Sequence, residues 1–286
     1  MYNFMNKIVL VRYIGFLFLS VISIPSFAQT IFHFPKENIE LVEHIVTYSL
    51  EFQEDSMHQN FKRQEDMLLF IGSTVSRFVS YNYFIGDSMA RTATSQEDFQ
   101  RIASDRSNPL PIVRFRYEIF KNYPKDKQTF IDSVLGSGKF KFEEDIGLFK
   151  WELLNETAII SGFKAQKATT DFGGRTWVAW FSTEIPYNDG PYKFNGLPGL
   201  IVKIYDTRLH YSFEFVSIKK PGYDLFIGFP EFDYIECSKK EYFKAKDAMR
   251  DNIISHAKTA GLNSEVQQKV AKLMERRNNP IELSRK

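Results

Sequence analysis

Between Arg175 and Asp206 the chain reads RTWVAWFSTEIPYNDGPYKFNGLPGLIVKIYD, and this stretch limits the possible folds more than any other. Arg175–Ser182 puts Thr176, Val178 and Trp180 on one face of an extended segment and Arg175, Trp177, Ala179 and Phe181 on the other. Both faces are largely apolar, and β-branched and aromatic side chains suit a pleated surface, so the spacing predicts an interior strand. Pro186 has no N–H to give to a ladder, which ends that strand near Ile185. Asn188-Asp189-Gly190-Pro191 reads as a turn, because Asn and Gly tolerate positive φ and Pro191 keeps Gly190 out of the helical region. Residues 200–205 then return as a second strand with Leu200, Val202 and Ile204 on one face. Gly196 and Gly199 bracket Leu197-Pro198 with little bulk, as either a tight turn or a backbone cradle that approaches a ligand or partner.

The two-residue period recurs on both sides of this stretch. Val42, His44, Val46, Tyr48, Leu50 and Phe52 share one face of residues 39–53, and 67–71 and 74–82 flank a Gly72-Ser73 turn. Residues 112–122, 128–134, 139–145, 148–154, 158–172 and 211–218 read as further strands, with Gly173-Gly174 as the hairpin into Arg175. Ser95 caps a short helix that turns Phe99, Ile102 and Ala103 inward. At Ser238 the period changes. Ser238 and Glu241 form a capping box, and Tyr242, Ala245, Met249, Ile253 and His256 recur at helical spacing, followed by Val266, Val270, Leu273 and Met274. Short turns between successive strands predict a mainly β (α+β) fold: a large curved antiparallel sheet or open barrel, one short helix and a C-terminal helical hairpin. On this reading 29–237 is the β domain and 238–286 a helical appendage.

Residues 1–28 have the form of an export leader, with Lys7 and Arg12 ahead of an uncharged apolar run of 12 residues and a small-x-small site at Ser26-Phe27-Ala28. A membrane-spanning helix needs about 20 such residues. Cleavage after Ala28 would leave Gln29 first, with no cysteine at the junction for lipid attachment. The expected location is therefore the periplasm or the exterior, as a protein that is not a lipoprotein. Without the leader the chain holds 35 basic and 35 acidic residues, a balance that points away from nucleic acid and from anionic membrane as partners. Cys237 is the only cysteine, so no intramolecular disulfide can form.

Motifs for chemistry are scarce. No Gly-x-Ser-x-Gly, His-Glu-x-x-His, phosphate-loop or dinucleotide pattern occurs, and His33, His44, His58, His210 and His256 are scattered singly, so neither cofactor nor metal is expected. Arg175, Glu184, Asp189 and Lys193 are the charges expected to gather at one end of the sheet, where acid–base chemistry would need them. Trp177, Trp180, Tyr187, Tyr192 and Phe194 are either sheet core or the wall of a pocket or interface. The candidate binding set is thus Arg175, Trp177, Trp180, Tyr187, Tyr192, Phe194, Gly196, Leu197, Pro198 and Gly199, for an apolar ligand or a cell-envelope protein.

The hexapeptide Gly196-Leu197-Pro198-Gly199-Leu200-Ile201 resembles the signature of the GLPGLI family, exported bacterial proteins with no assigned biochemical role. Residues 162–168, 175–186, Gly190-Pro191-Tyr192-Lys193-Phe194 and Asn278-Asn279-Pro280-Ile281-Glu282-Leu283 look like further landmarks in family order. One departure is Ala165, where the family pattern carries a cysteine. The resemblance implies export and supplies no catalytic residues. With the residues read above, it points to a non-catalytic periplasmic or secreted binding protein. The alternatives are an interaction subunit of an outer-membrane, transport-type complex and an exported hydrolase.

Overall fold

The structure, a computed structural model, describes residues 36–58, 61–259 and 261–284. The expected export leader, its expected cleavage site and His33 lie outside them. Among the described residues there are fourteen strands in two sheets. In chain order they are β1 (Lys36–Leu41), β2 (His44–Phe52), β3 (Arg63–Ile71), β4 (Ser76–Ser80), β5 (Glu118–Lys121), β6 (Lys127–Val134), β7 (Gly138–Asp145), β8 (Glu152–Ile160), β9 (Phe163–Phe172), β10 (Arg175–Ser182), β11 (Leu200–Asp206), β12 (Tyr211–Lys219), β13 (Phe226–Pro230) and β14 (Tyr234–Glu236). The helices are α1 (Tyr81–Ala90), α2 (Gln96–Ser104), α3 (Lys239–Asp251), α4 (Ile253–Thr259) and α5 (Ser264–Glu275).

Twelve strands form one sheet in the order β14-β7-β6-β5-β4-β3-β2-β12-β11-β10-β9-β8, antiparallel except where β14 runs beside β7. β1 pairs only with β13. The large sheet ends at β8 and β14, so the barrel stays open. Its curvature shows at Lys193, whose Nζ lies 5.2 Å from the ring of Phe142 on β7 and 5.9 Å from that of Phe172 on β9. Eight strands separate β7 from β9 in the sheet, and both reach the same ammonium.

Alternation along each strand sorts the side chains onto two faces. The concave face carries Val46, Tyr48, Leu50 and Phe52 from β2, Met67 and Leu69 from β3, Trp177 and Phe181 from β10 and Phe213 from β12, all buried in one core. Tyr242 of α3 enters that core, with its ring 5.4 Å from Phe130 and its hydroxyl donating to Asp132 at 2.5 Å. The convex face buries Leu68, Phe70, Val79, Phe120 and Ile131. There Phe229 of β13 covers Phe120 at 4.8 Å and Phe84 of α1 covers Phe70 at 5.1 Å.

Most of the expected elements are present. Arg175–Ser182 is a strand, the Gly173-Gly174 hairpin joins it to β9, Ser95 caps α2, and Ser238 with Glu241 forms the capping box of α3. Several boundaries differ. The strand expected over 112–122 is confined to Glu118–Lys121, and the one expected over 148–154 begins only at Glu152 and runs on to Ile160. Residues 39–53 are two strands, because Val42 turns its N–H to Leu225 before β2 begins. Residues 74–82 are strand only to Ser80, whose hydroxyl caps α1, a helix the alternation did not announce. The long strand 158–172 breaks at Ser161-Gly162, both at positive φ, and so becomes the β8–β9 hairpin. The C-terminal hairpin has a third helix, since Asn252 interrupts the first arm. Among the described residues no helix is long and apolar enough to cross a membrane.

Candidate functional site

The connection between β10 and β11 does not lie outside the sheet; it folds into the concave face. Tyr192, Phe194 and Leu197 are all buried there, and the Phe194 ring packs at a tilt with its centroid 4.7 Å from that of Trp177. Backbone bonds close the loop on itself: Gly196 donates to Asn188, Phe194 to Pro191, and Ile201 to Asp189. Tyr48 of β2 adds a bond to the carbonyl of Ile201 at 2.8 Å. The two signature glycines serve different ends. At Gly199, with φ of 149°, an added Cβ would lie 2.2 Å from the carbonyl oxygen of Ser182, so only glycine lets the motif pass this close to β10. At Gly196 the φ of 88° is the constraint, and the nearest atom to an added Cβ is 3.9 Å away.

Burying this loop also buries Lys121 and Lys193, and the half-buried Lys239 shares the carboxylates of Lys193. Lys121 of β5 donates to Asp189 at 2.5 Å and to the carbonyls of Gly190 and Phe194 at 2.6 and 3.1 Å. Burial pushes its pKa down, and Asp189 pulls it back. Lys193, 0% exposed, donates to Glu282 at 2.7 Å and to Glu144, among the rings of Phe130, Phe142 and Tyr192. Lys239, the first residue of α3, reaches Glu144 and Glu282 at 3.0 and 2.6 Å, so two ammonium groups neutralise two carboxylates. Burial alone would raise the pKa of Glu282, but Lys193 and Lys239 hold it below the ordinary value. The hydroxyl of Tyr192 donates to Glu282 at 2.6 Å, and burial beside that carboxylate pushes the phenol well up.

Arg175 holds the same C-terminal segment from the other side. Its guanidinium donates to Asp206 at 2.9 Å, to the side chain of Asn279 at 2.8 Å, and to the carbonyls of Pro280 and Ile281 at 2.7 and 2.9 Å. The Asn279 amide bonds the carbonyl of Gln53, and Tyr211 donates its hydroxyl to the carbonyl of Asn279. Residues 278–284 therefore form a strap across the open side of the sheet. Its end is fixed where Leu283 and Ser284 donate to the carbonyl of Gly173.

The candidate residues thus divide by depth. Arg175, Trp177, Tyr192, Phe194, Leu197 and Gly199 are buried; Trp180 and Tyr187 are half-buried; Gly196 and Pro198 are exposed. Tyr187 bonds His44 at 2.6 Å, which gives that histidine the single partner its place on β2 called for. The four charges expected to gather are dispersed: Arg175 takes Asp206, Lys193 takes Glu144 and Glu282, Asp189 takes Lys121, and Glu184 accepts the N–H of Lys164. Among the described residues no group of three or more His, Cys, Asp or Glu could hold a metal ion. A polar cleft of about 380 Å³ opens beside the β9–β10 hairpin, between Asp171–Thr176 and Asp206–Arg208. Lys121 and Glu144 escaped the sequence reading because their partners are distant in sequence. A lone lysine closing the apolar run of β5 was their one local trace.

A family described as "Protein of unknown function (Porph_ging)" matches residues 174–203, from the β9–β10 hairpin through the loop into β11. Two solved structures are similar, both of PNGF-II, in space groups P21 and C2. Each is 15% identical with a TM-score of 0.49, over 73% of this chain and 34% and 33% of theirs. The chain thus spans about a third of the length of those structures. No curated protein matches.

Proposed function

We propose that this chain is a non-catalytic binding protein of the cell envelope, exported by its leader, that recognises a protein partner with the outward side of its signature segment. The observation that carries this reading is the filling of the half-barrel by its own chain. Tyr192, Phe194, Leu197 and Tyr242 occupy the volume that an enclosed apolar ligand would need. The charges beneath the loop are consumed in pairs, which immobilises them instead of presenting them to a substrate. What the signature offers outward is a small surface of Gly196, Pro198, Trp180 and Tyr187 on a rigid base. Rigid, partly aromatic surface beside small residues suits protein contact better than turnover. The match to a family of unknown function covers this same segment, and the GLPGLI resemblance agrees with export.

In-cell photo-crosslinking tests this. A photoreactive phenylalanine analogue at Pro198 should give one discrete adduct with an envelope protein, and the same analogue at the exposed Lys272 of α5 should not. No adduct from Pro198, or equal labelling from both positions, overturns the reading.

A further inference from the structure

At one rim of the half-barrel three separate segments bring arginines together. Arg63 opens β3, Arg114 and Arg116 lie in the approach to β5, and Arg277 follows α5. Glu54 sits between two of them, 2.6 Å from Arg63 and 3.6 Å from Arg277. Arg114 stands 3.8 Å from the fully buried carboxylate of Glu65. Arg116 is exposed and has no ion-pair partner among the described residues. The ring of Phe115, between Arg114 and Arg116, packs 4.8 Å from Phe52, and Asn279 donates to the carbonyl of Glu54, so the strap and the sheet fix the rim. The Arg277 side chain is 44% exposed; partial desolvation lowers its pKa against the pull of Glu54, and Arg63, Arg114 and Arg116 lower it further, which places the four guanidiniums in one field. The acid next in line, Asp55, is turned away onto the Met57 N–H, Asn278 and His58.

We propose that Arg63, Arg114, Arg116 and Arg277 form a binding site for a phosphate group, a role outside the signature segment and independent of the partner proposed above. Four guanidiniums against the carboxylates of Glu54, Glu65 and the neighbouring Asp55 leave a net positive charge of one. A phosphomonoester carries about −1.5 to −2 near neutral pH, and guanidinium forks match its oxygens in pairs. Phe61, 53% exposed with its ring 4.8 Å from the Arg63 guanidinium, and Met57, 81% exposed, place apolar surface beside the charge. Glu54 acts as the internal occupant that an incoming phosphate displaces from Arg63 and Arg277. The phosphate can come from solution or from a lipid headgroup.

Titration with inorganic phosphate, followed by calorimetry and by thermal stabilisation against a chloride control, tests the site on the full chain. R116Q and R277Q should each weaken binding about tenfold or more. E54Q should tighten it, a gain that misfolding cannot mimic. Lys219→Gln, at the end of β12 opposite the one paired with Phe52, should change nothing. Phosphatidylcholine vesicles doped with phosphatidic acid supply the second arm. Retention on them that R116Q abolishes supports the site with a lipid source, and stabilisation by free phosphate supports it with a soluble one. No response to either probe, or binding that R116Q, R277Q and E54Q leave unchanged, overturns the proposal.

Discussion

Lys193 and Glu282 stand 89 positions apart in sequence and meet at 2.7 Å, each side chain 1% exposed, inside an aromatic shell. The pair joins the signature loop to the C-terminal strap at the centre of the half-barrel. With Lys239 and Glu144 they make two ammonium groups against two carboxylates, so removing one member leaves one unbalanced charge in a low-dielectric interior. Lys193→Met should therefore cost about 3–5 kcal/mol in denaturant unfolding. A K193M/E282L double variant should cost less than the two single losses together, because no uncompensated charge remains.

Acid should loosen the same joint. The folded-state pKa of Glu282 lies below its ordinary 4.5, so the stability it contributes is complete above 4.5 and is lost as pH falls through the folded value. Unfolding free energy measured from neutral pH downward should fall more steeply for the native chain than for Glu282→Gln. Parallel curves would show that the lysines do not hold this carboxylate down.

The signature glycines should respond unequally to alanine. Gly199→Ala drives a methyl into the Ser182 carbonyl, 2.2 Å from the ideal Cβ position, at positive φ. Loss of the folded state, or a penalty above about 3 kcal/mol, is expected. Gly196→Ala meets Trp151 only at van der Waals distance and bears the dihedral cost of about 1–2 kcal/mol. Thermal unfolding of the two variants side by side reads the difference.

Arg175→Lys should release the strap with the sheet left intact. Lysine keeps the charge for Asp206 but cannot reach Asn279, Pro280 and Ile281 in the same geometry. Limited proteolysis should then cut near residues 278–284, and circular dichroism should still report native strand content. Protection equal to the native chain would mean that the remaining contacts, Glu282 with Lys193 and Lys239 and the bonds to Gln53, Tyr211 and Gly173, suffice to hold the strap.

Local patterns predicted the local structure. The alternation in RTWVAWFS made β10 legible, and Ser238 with Glu241 made the start of α3 legible, because both follow from neighbours in sequence. The run 74–82 read as strand to its end, and Ser80 stopped it early with a cap bond to the Tyr83 N–H. Ser161-Gly162 hid inside a continuous run because a serine at positive φ has no composition signal. Within the site, Tyr192, Lys193 and Phe194 could be singled out, but their depth could not. Depth depends on Lys121, Glu144 and Glu282, which reach them only after the sheet has curled.

Whether the signature loop plugs the half-barrel is decided by native-state hydrogen exchange at the amides of Phe194, Gly196 and Ile201. These groups bond inside the loop, to Pro191, Asn188 and Asp189. If the signature is a packed plug, they exchange only through global unfolding, as slowly as the amides of β2 and β10. Exchange orders of magnitude faster than those strands would contradict the account, because it would mean a loop that opens on its own and a half-barrel free to admit a ligand.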